Sequence, residues 1–95
     1  MTRTANDRVF DVVEALEGTS PVGLAPMELA RAAKVSASWV SVNLPPLAER
    51  GYFERDVETG RWRLGRRLAE IAAAELAALD KAGRRVEETK QRYRR

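Results

Sequence analysis

Arginine, serine and asparagine side chains in two short segments carry the chemistry that this sequence offers. Arg55, Arg61 and Arg63 stand on either side of a turn-forming segment, residues 57–60. Guanidinium groups bind phosphate oxygens through paired hydrogen bonds. The second segment, residues 36–43, is rich in hydroxyl and amide groups, which contact phosphates and base edges. These residue types predict contact with a polyanion.

The composition excludes most of the chemistry that small enzymes use. The 95 residues include no cysteine and no histidine, so disulfides, thiolate or imidazole metal sites, a cysteine nucleophile and a histidine base are all ruled out. A chain of this length supports one core and leaves little material for a deep catalytic cavity. We therefore expect a binding protein with no catalytic residues, no metal and no cofactor.

The positive charge is concentrated at the C-terminal end. Residues 1–80 hold ten basic and twelve acidic side chains, net −2, whereas residues 81–95 hold seven and two, net +5. No segment approaches the roughly 18 apolar residues of a membrane span, and the N-terminus lacks the apolar run of a signal peptide. A cytoplasmic protein without a membrane partner is expected. Fourteen arginines against three lysines are typical of GC-rich bacterial or phage genomes.

The first third of the chain carries two patterns of helical spacing. Thr4 and Asp7 stand in capping-box spacing before a helix predicted over residues 5–17. Pro26 suits the first position of a second, shorter helix predicted over residues 26–33. A connection containing glycine and proline joins the two helices.

A third helix is predicted to begin at Ser36, a favourable N-cap. Apolar residues recur at helical spacing at Val40, Leu44 and Leu47. Pro45 and Pro46 follow within the same pattern, and an interior proline costs a helix about 3 kcal/mol. The sequence therefore predicts a kink or break at the prolines, with a short helix over 36–43 and a further turn over 46–50. A tolerated kink without functional meaning is the competing interpretation.

Alternating residues over 52–64 predict a β-hairpin with Gly60 in its turn. Alternation places Arg61 and Arg63 on one face. The core-facing set is Tyr52, Trp62 and Leu64. A short strand is also predicted at 22–24.

A long helix is predicted from residue 66 towards residue 95. A 3,4 spacing of mostly small and apolar residues, with Lys90 as the exception, continues along it at Ala69, Ala72, Leu76, Leu79, Gly83, Val86, Lys90 and Tyr93. We expect its first part to pack on the domain and Leu76, Leu79 and Val86 to pair with a second copy. The alternative is that residues 81–95 form a frayed basic tail that binds phosphates without sequence preference.

This order of elements predicts a mainly α fold with a small β-hairpin: a winged helix-turn-helix followed by a long C-terminal helix. The predicted organisation is a DNA-binding domain over residues 1–65 and a C-terminal dimerisation helix with a basic end over 66–95.

Motifs in the chain resemble the N-terminal domain of IclR-type regulators over about residues 6–72. They are Glu28-Leu29-Ala30-Arg31-Ala32, Ser38-Trp39-Val40, Leu47-Ala48-Glu49-Arg50-Gly51-Tyr52 and Glu58-Thr59-Gly60-Arg61-Trp62-Arg63-Leu64-Gly65. The resemblance implies a recognition helix in the major groove and a wing, residues 52–64, on the backbone or minor groove. The effector-binding domain of these regulators is not expected in this chain, so a small-molecule sensor role is not implied.

Candidate DNA contacts follow from the resemblance. On the recognition helix they are Ser36, Ser38, Trp39, Ser41, Val42 and, at the margin, Asn43; on the wing they are Arg55, Arg61 and Arg63. For the serines the competing interpretation is capping or a solvated surface, and for Trp39 it is partial burial. For the wing arginines it is pairing with Glu54, Asp56 or Glu58.

No basic residue stands between Lys34 and Arg50, although arginine or lysine makes the commonest specific contact to guanine.

The prediction is a homodimeric transcription regulator that binds double-stranded DNA. The alternative is a phage or mobile-element module that binds a host protein through Trp39 and Val42.

Overall fold

Four helices and one two-stranded hairpin make up residues 2–94, the part of the chain that the computed structural model describes. The helices are α1 (Ala5–Leu16), α2 (Pro26–Ala33), α3 (Ala37–Glu49) and α4 (Arg66–Tyr93). The strands are β1 (Phe53–Arg55) and β2 (Trp62–Leu64), which pair antiparallel. The predicted fold class is confirmed: a mainly helical winged helix-turn-helix with a long C-terminal helix.

Side-chain caps set where the first two helices begin. The Asp7 amide donates to Thr4 Oγ1 at 3.1 Å, and the Thr4 amide donates to Asp7 Oδ2 at 2.8 Å, which completes the predicted capping box. At α2 the Ala25 amide donates to Glu28 Oε1 at 2.8 Å. Because these partners lie within three residues of one another, the helix starts are encoded locally.

The turn between α2 and α3 is held by Lys34 and Arg3. Lys34 ends α2 in the left-handed conformation with φ of 58°, and the Val35 amide donates back to Ala30 O at 2.9 Å. The Arg3 guanidinium donates to Ala33 O at 2.7 Å and to Lys34 O, and it pairs with Asp11 at 2.6 Å. The N-terminal arm therefore closes the end of α2 at the point where α3 departs.

The predicted break in the third helix is wrong. α3 is continuous from Ala37 to Glu49, with Pro45 and Pro46 inside it, and the predicted limit at residue 43 is too early. Both prolines lie on the exposed face of α3. Because proline has no N–H, the carbonyls of Ser41 and Val42 have no hydrogen-bond donor four residues further along the helix. Both residues lie on the exposed face, so water can hydrate these carbonyls. The helix persists because Leu44 on the opposite face is fully buried.

The core lies between α1, α2, α3 and the base of the hairpin. Its buried members are Val12, Leu16, Leu29, Ala30, Ala33, Val40, Leu44, Phe53 and Trp62. Tyr52 and Leu64, predicted to face the core, are half-buried and pack against it, as does Trp39. Phe53 is 2% exposed and was not predicted as a core residue. The predicted strand at 22–24 is reduced to a single bridge between Leu24 and Trp62.

The C-terminal helix extends away from this core. None of its residues is buried, and Leu68 and Ile71 in its first turns are half-buried without joining the core. It starts where Gly65 lies against Gly51, and the Arg67 amide donates to Gly51 O at 2.9 Å. The helix runs through Gly83 without interruption for about 42 Å at 1.5 Å per residue. Its exposed length is available to a partner.

Candidate nucleic-acid interface

One face of α3 is exposed to solvent over the whole length of the helix. Val40 and Leu44 anchor the opposite face in the core. The exposed face ends at Glu49. We call its first six residues the α3 stripe: Ala37, Ser38, Ser41, Val42, Pro45 and Pro46. Val42 is its most prominent apolar group, 67% exposed. The core therefore presents the stripe outward, as a helix that reads a groove must be presented.

Several polar side chains predicted to contact DNA hydrogen-bond within α3 itself. Ser36 Oγ accepts from the Trp39 amide at 2.9 Å, so Ser36 is the N-cap. The Ser41 hydroxyl donates to Ser38 O at 3.0 Å, and the Asn43 side-chain amide donates to Trp39 O at 2.9 Å. Ser38 and Ser41 remain exposed, whereas Asn43 and Trp39 are half-buried. The stripe thus offers hydroxyl and apolar groups to a ligand.

The hairpin register brings one wing arginine next to α3. Arg55 pairs directly with Trp62, and residues opposite each other in an antiparallel pair project from the same face of the sheet. Arg55 therefore shares a face with buried Trp62 and not with Arg63, which pairs with Glu54. A cleft of about 410 Å³ lies between α3 and the wing; it is lined by Pro26, Ala37, Ser38, Val40, Ser41, Pro45, Arg55 and Trp62. The sequence did not predict this juxtaposition.

The other two predicted wing contacts are engaged inside the molecule. Arg61 Nη2 donates to Gly23 O at 2.8 Å and lies 3.3 Å from Glu28 Oε1. Arg63 Nε lies 3.0 Å from Glu54 Oε2, and its Nη1 lies 3.9 Å from Asp56 Oδ2. Arg55 is exposed and forms no ion pair with any described residue. Its charge is therefore the most available of the three to a phosphate.

Asp56 organises the turn of the wing. Its Oδ1 accepts from the Glu58 amide at 2.9 Å and from the Thr59 amide at 3.0 Å. The backbone hydrogen bonds from Thr59 and then from Glu58 hold the pKa of Asp56 below its ordinary value, against a smaller opposing effect of desolvation. The folded wing consequently prefers the ionised carboxylate.

The depressed pKa of Asp56 predicts a loss of stability in acid. A carboxylate whose pKa is lowered by folding contributes stability at pH values above its ordinary pKa. This contribution is lost as the pH falls through the folded pKa. Asp56→Asn keeps an acceptor oxygen but does not titrate, so its urea midpoint should fall less than that of the wild type between about pH 5 and pH 2. Parallel losses in the two proteins would contradict this assignment.

The described residues contain no group of three or more acidic side chains placed to hold a metal ion. Within the same residues, no helix combines the length and the apolar character needed to cross a membrane.

A core of three helices, an outward-facing α3 and a hairpin beside it define a winged helix-turn-helix protein. Among solved structures, the chain is similar to the crystal structure of Pseudomonas aeruginosa HmgR, an IclR-family regulator, with 29% identity and a TM-score of 0.68. The match covers 83% of this chain and 33% of HmgR, so the chain spans about a third of that protein. No family model matches the sequence, and no curated protein matches it. The similarity to HmgR supports the IclR-type helix-turn-helix that the motifs predict.

Proposed function

We infer that this chain is a DNA-binding transcription regulator of the winged-helix type. In this proposal α3 enters the major groove and the wing meets the backbone or the neighbouring minor groove. The single observation that carries it is the cleft in which Arg55, free of ion pairs with described residues, stands beside the exposed serines of α3. This arrangement is suited to DNA: the cation can bind a phosphate at the rim of the groove, and the hydroxyl-bearing face of the helix can contact the base edges within the groove.

A salt titration tests this function. Fluorescence anisotropy with a labelled random-sequence duplex of about 30 base pairs should show binding at about 50 mM salt, with affinity falling linearly on a log–log plot as salt rises. Such a slope reports the counterions that the protein displaces from phosphates. Absence of binding at low salt, or an affinity that salt does not change, contradicts the proposal.

The wing arginines should differ in their contribution. Arg55→Ala should weaken duplex binding about tenfold and reduce the salt slope by about one, because one phosphate contact is lost. Arg63→Ala is the matched control: its guanidinium already pairs with Glu54 and Asp56, so the slope should stay near that of the wild type. Equal slopes for Arg55→Ala and the wild type would show that Arg55 does not contact phosphate.

We propose that α4 pairs with a second copy of the chain. Leu76, Leu79 and Val86 are exposed at positions that fall on one side of the helix in heptad spacing. A two-fold dimer would present two recognition helices to half-sites about 34–36 Å apart. The seam also contains Gly83 and Lys90, so this pairing is expected to be weaker than that of a leucine-rich coiled coil.

Leu79→Glu should convert such a dimer to a monomer. A buried leucine contributes about 1.5–3 kcal/mol. The variant loses this contribution in both copies, so the dimer Kd should rise at least about a hundredfold. Ala78→Glu, an exposed residue outside the seam, is the matched control and should leave the dimer intact. Light scattering coupled to gel filtration measures the mass. A wild-type protein that is monomeric at all concentrations would refute the pairing.

A second candidate function is a module that binds a host protein through the same face of α3. The exposure of Val42 and the lack of charge along the α3 stripe favour it. Trp39 packs against the core, so its replacement would disturb the fold, and Val42→Ser is the sharper variant. Loss of a purified partner from Val42→Ser with unchanged duplex affinity would favour this function over DNA binding.

A further inference from the structure

The α3 stripe contains no charged group, and this limits which bases it can recognise. From Val35 to Ala48 the sequence includes no acidic or basic residue. Specific recognition of guanine most often uses the two hydrogen bonds of an arginine or lysine, and cytosine is recognised by a carboxylate. Neither side-chain type is present on the α3 stripe; the only charged residue of α3, Glu49, is its last residue and lies beyond the stripe.

The one side-chain amide of α3, that of Asn43, is held against the backbone of its own helix. Adenine is usually recognised by an asparagine or glutamine that donates to N7 and accepts from N6. Asn43 donates its side-chain amide to Trp39 O at 2.9 Å and is half-buried. The groups left on the stripe are two hydroxyls, the methyl group of Ala37, the apolar side chain of Val42, and the apolar rings of Pro45 and Pro46.

An apolar side chain has one apolar counterpart on the floor of the major groove, the 5-methyl group of thymine. We propose that the α3 stripe recognises thymine methyl groups, with Val42 as the main contact, so that the preferred duplex is rich in A·T pairs at the positions facing α3. This inference rests on the proposed DNA-binding function and specifies its ligand. Serine hydroxyls at Ser38 and Ser41 accept or donate at either base and add little discrimination.

The charges around the stripe favour a nucleic acid over an apolar protein surface. Lys34 stands just before α3, Arg50 just after it, and Arg55 across the cleft; all three are exposed. None forms an ion pair with a described residue. The Arg50 guanidinium is held 5.8 Å from the centre of the Tyr52 ring. Glu49 is the one acidic residue of α3, and it lies next to Arg50 at the end of the helix. The three cations lie at both ends and on one side of the uncharged stripe, where they can contact the phosphates along the rims of a groove.

The experiment uses duplexes enriched by the protein from a random pool of about 30 base pairs. Each thymine of the best duplex is replaced in turn by deoxyuridine, which keeps every hydrogen-bonding group and removes only the methyl. At positions under α3 the affinity should fall about fourfold per methyl removed, the ratio expected for one methyl-sized apolar group.

Two valine variants give the matched comparison. Val42→Ser should bind the thymine and deoxyuridine duplexes equally, because the methyl has lost its partner. Val57→Ser, at a fully exposed valine in the wing turn, should keep the fourfold ratio. Both positions are exposed, so both variants should fold.

The outcomes separate the two proposals. Enriched duplexes without a shared thymine, or deoxyuridine replacements without effect, would overturn thymine recognition while DNA binding stands. Failure to enrich or bind any duplex would overturn the proposed function and this inference together. A thymine effect that persists unchanged in Val42→Ser would assign the methyl contact to another residue and overturn the role of Val42.

Discussion

Gly23→Ala should lower the free energy of unfolding by at least about 3 kcal/mol. A Cβ atom at Gly23 would lie 2.0 Å from Trp62 O, and the glycine has a φ of +70° that side chains with a Cβ rarely adopt. Trp62 O accepts from the Leu24 amide, and Leu24 O accepts from the Trp62 amide, both at 2.8 Å. The substitution should break this bridge, which ties the segment before α2 to the base of the wing.

Gly18→Ala separates the steric effect from the backbone effect. Gly18 has nearly the same φ, +73°, but a Cβ there would have nothing within 4 Å. Gly18→Ala should therefore lower the free energy of unfolding only by the cost of holding alanine in the left-handed conformation, about 1–2 kcal/mol. Urea unfolding followed by circular dichroism measures both variants. Equal losses would show that the close approach of Gly23 to Trp62 does not matter for stability.

The second large effect is expected at Phe53. Its ring is 2% exposed in the core, and truncation of a buried phenylalanine costs about 3–5 kcal/mol. Phe10 is 65% exposed, so Phe10→Ala offers the same chemical change outside the core and should cost less than about 0.5 kcal/mol. Similar midpoints for Phe53→Ala and Phe10→Ala would contradict the placement of Phe53. Because Phe53 begins the strand that carries Arg55, its loss should also weaken duplex binding.

Local signals predicted the helices well. The capping box of Thr4 and Asp7, the N-terminal position of Pro26 and the cap at Ser36 each act within a few residues, so the sequence contains all the interacting partners. The predicted break at Pro45 and Pro46 is wrong because helix propensity does not include which face of α3 is buried. α3 stays helical because Leu44 is buried and both prolines are exposed. Both features depend on the tertiary structure, which can override helix propensity.

The candidate interface was predicted less completely, since it depends on register and pairing. Alternation along the wing cannot reveal which residue of β1 lies opposite Trp62. The pairing of Arg55 with Trp62 places Arg55 on the side of the hairpin that faces α3 and Phe53 in the core. The engagement of Arg61 with Gly23 O and Glu28 joins segments far apart in the sequence. The pairing of Arg63 with Glu54, by contrast, joins residues of the same hairpin, and the sequence offers it as the alternative to a DNA contact.

Mapping of the duplex-binding surface by amide chemical shifts tests the central claim most directly. Titration of ¹⁵N-labelled protein with the random duplex of about 30 base pairs distinguishes the α3 stripe from the basic end of α4. We expect the largest shifts at residues 37–42 and at Arg55, with smaller changes over residues 81–94. Shifts confined to residues 81–94, with α3 and the wing unchanged, would contradict it and assign binding to the basic end of the C-terminal helix.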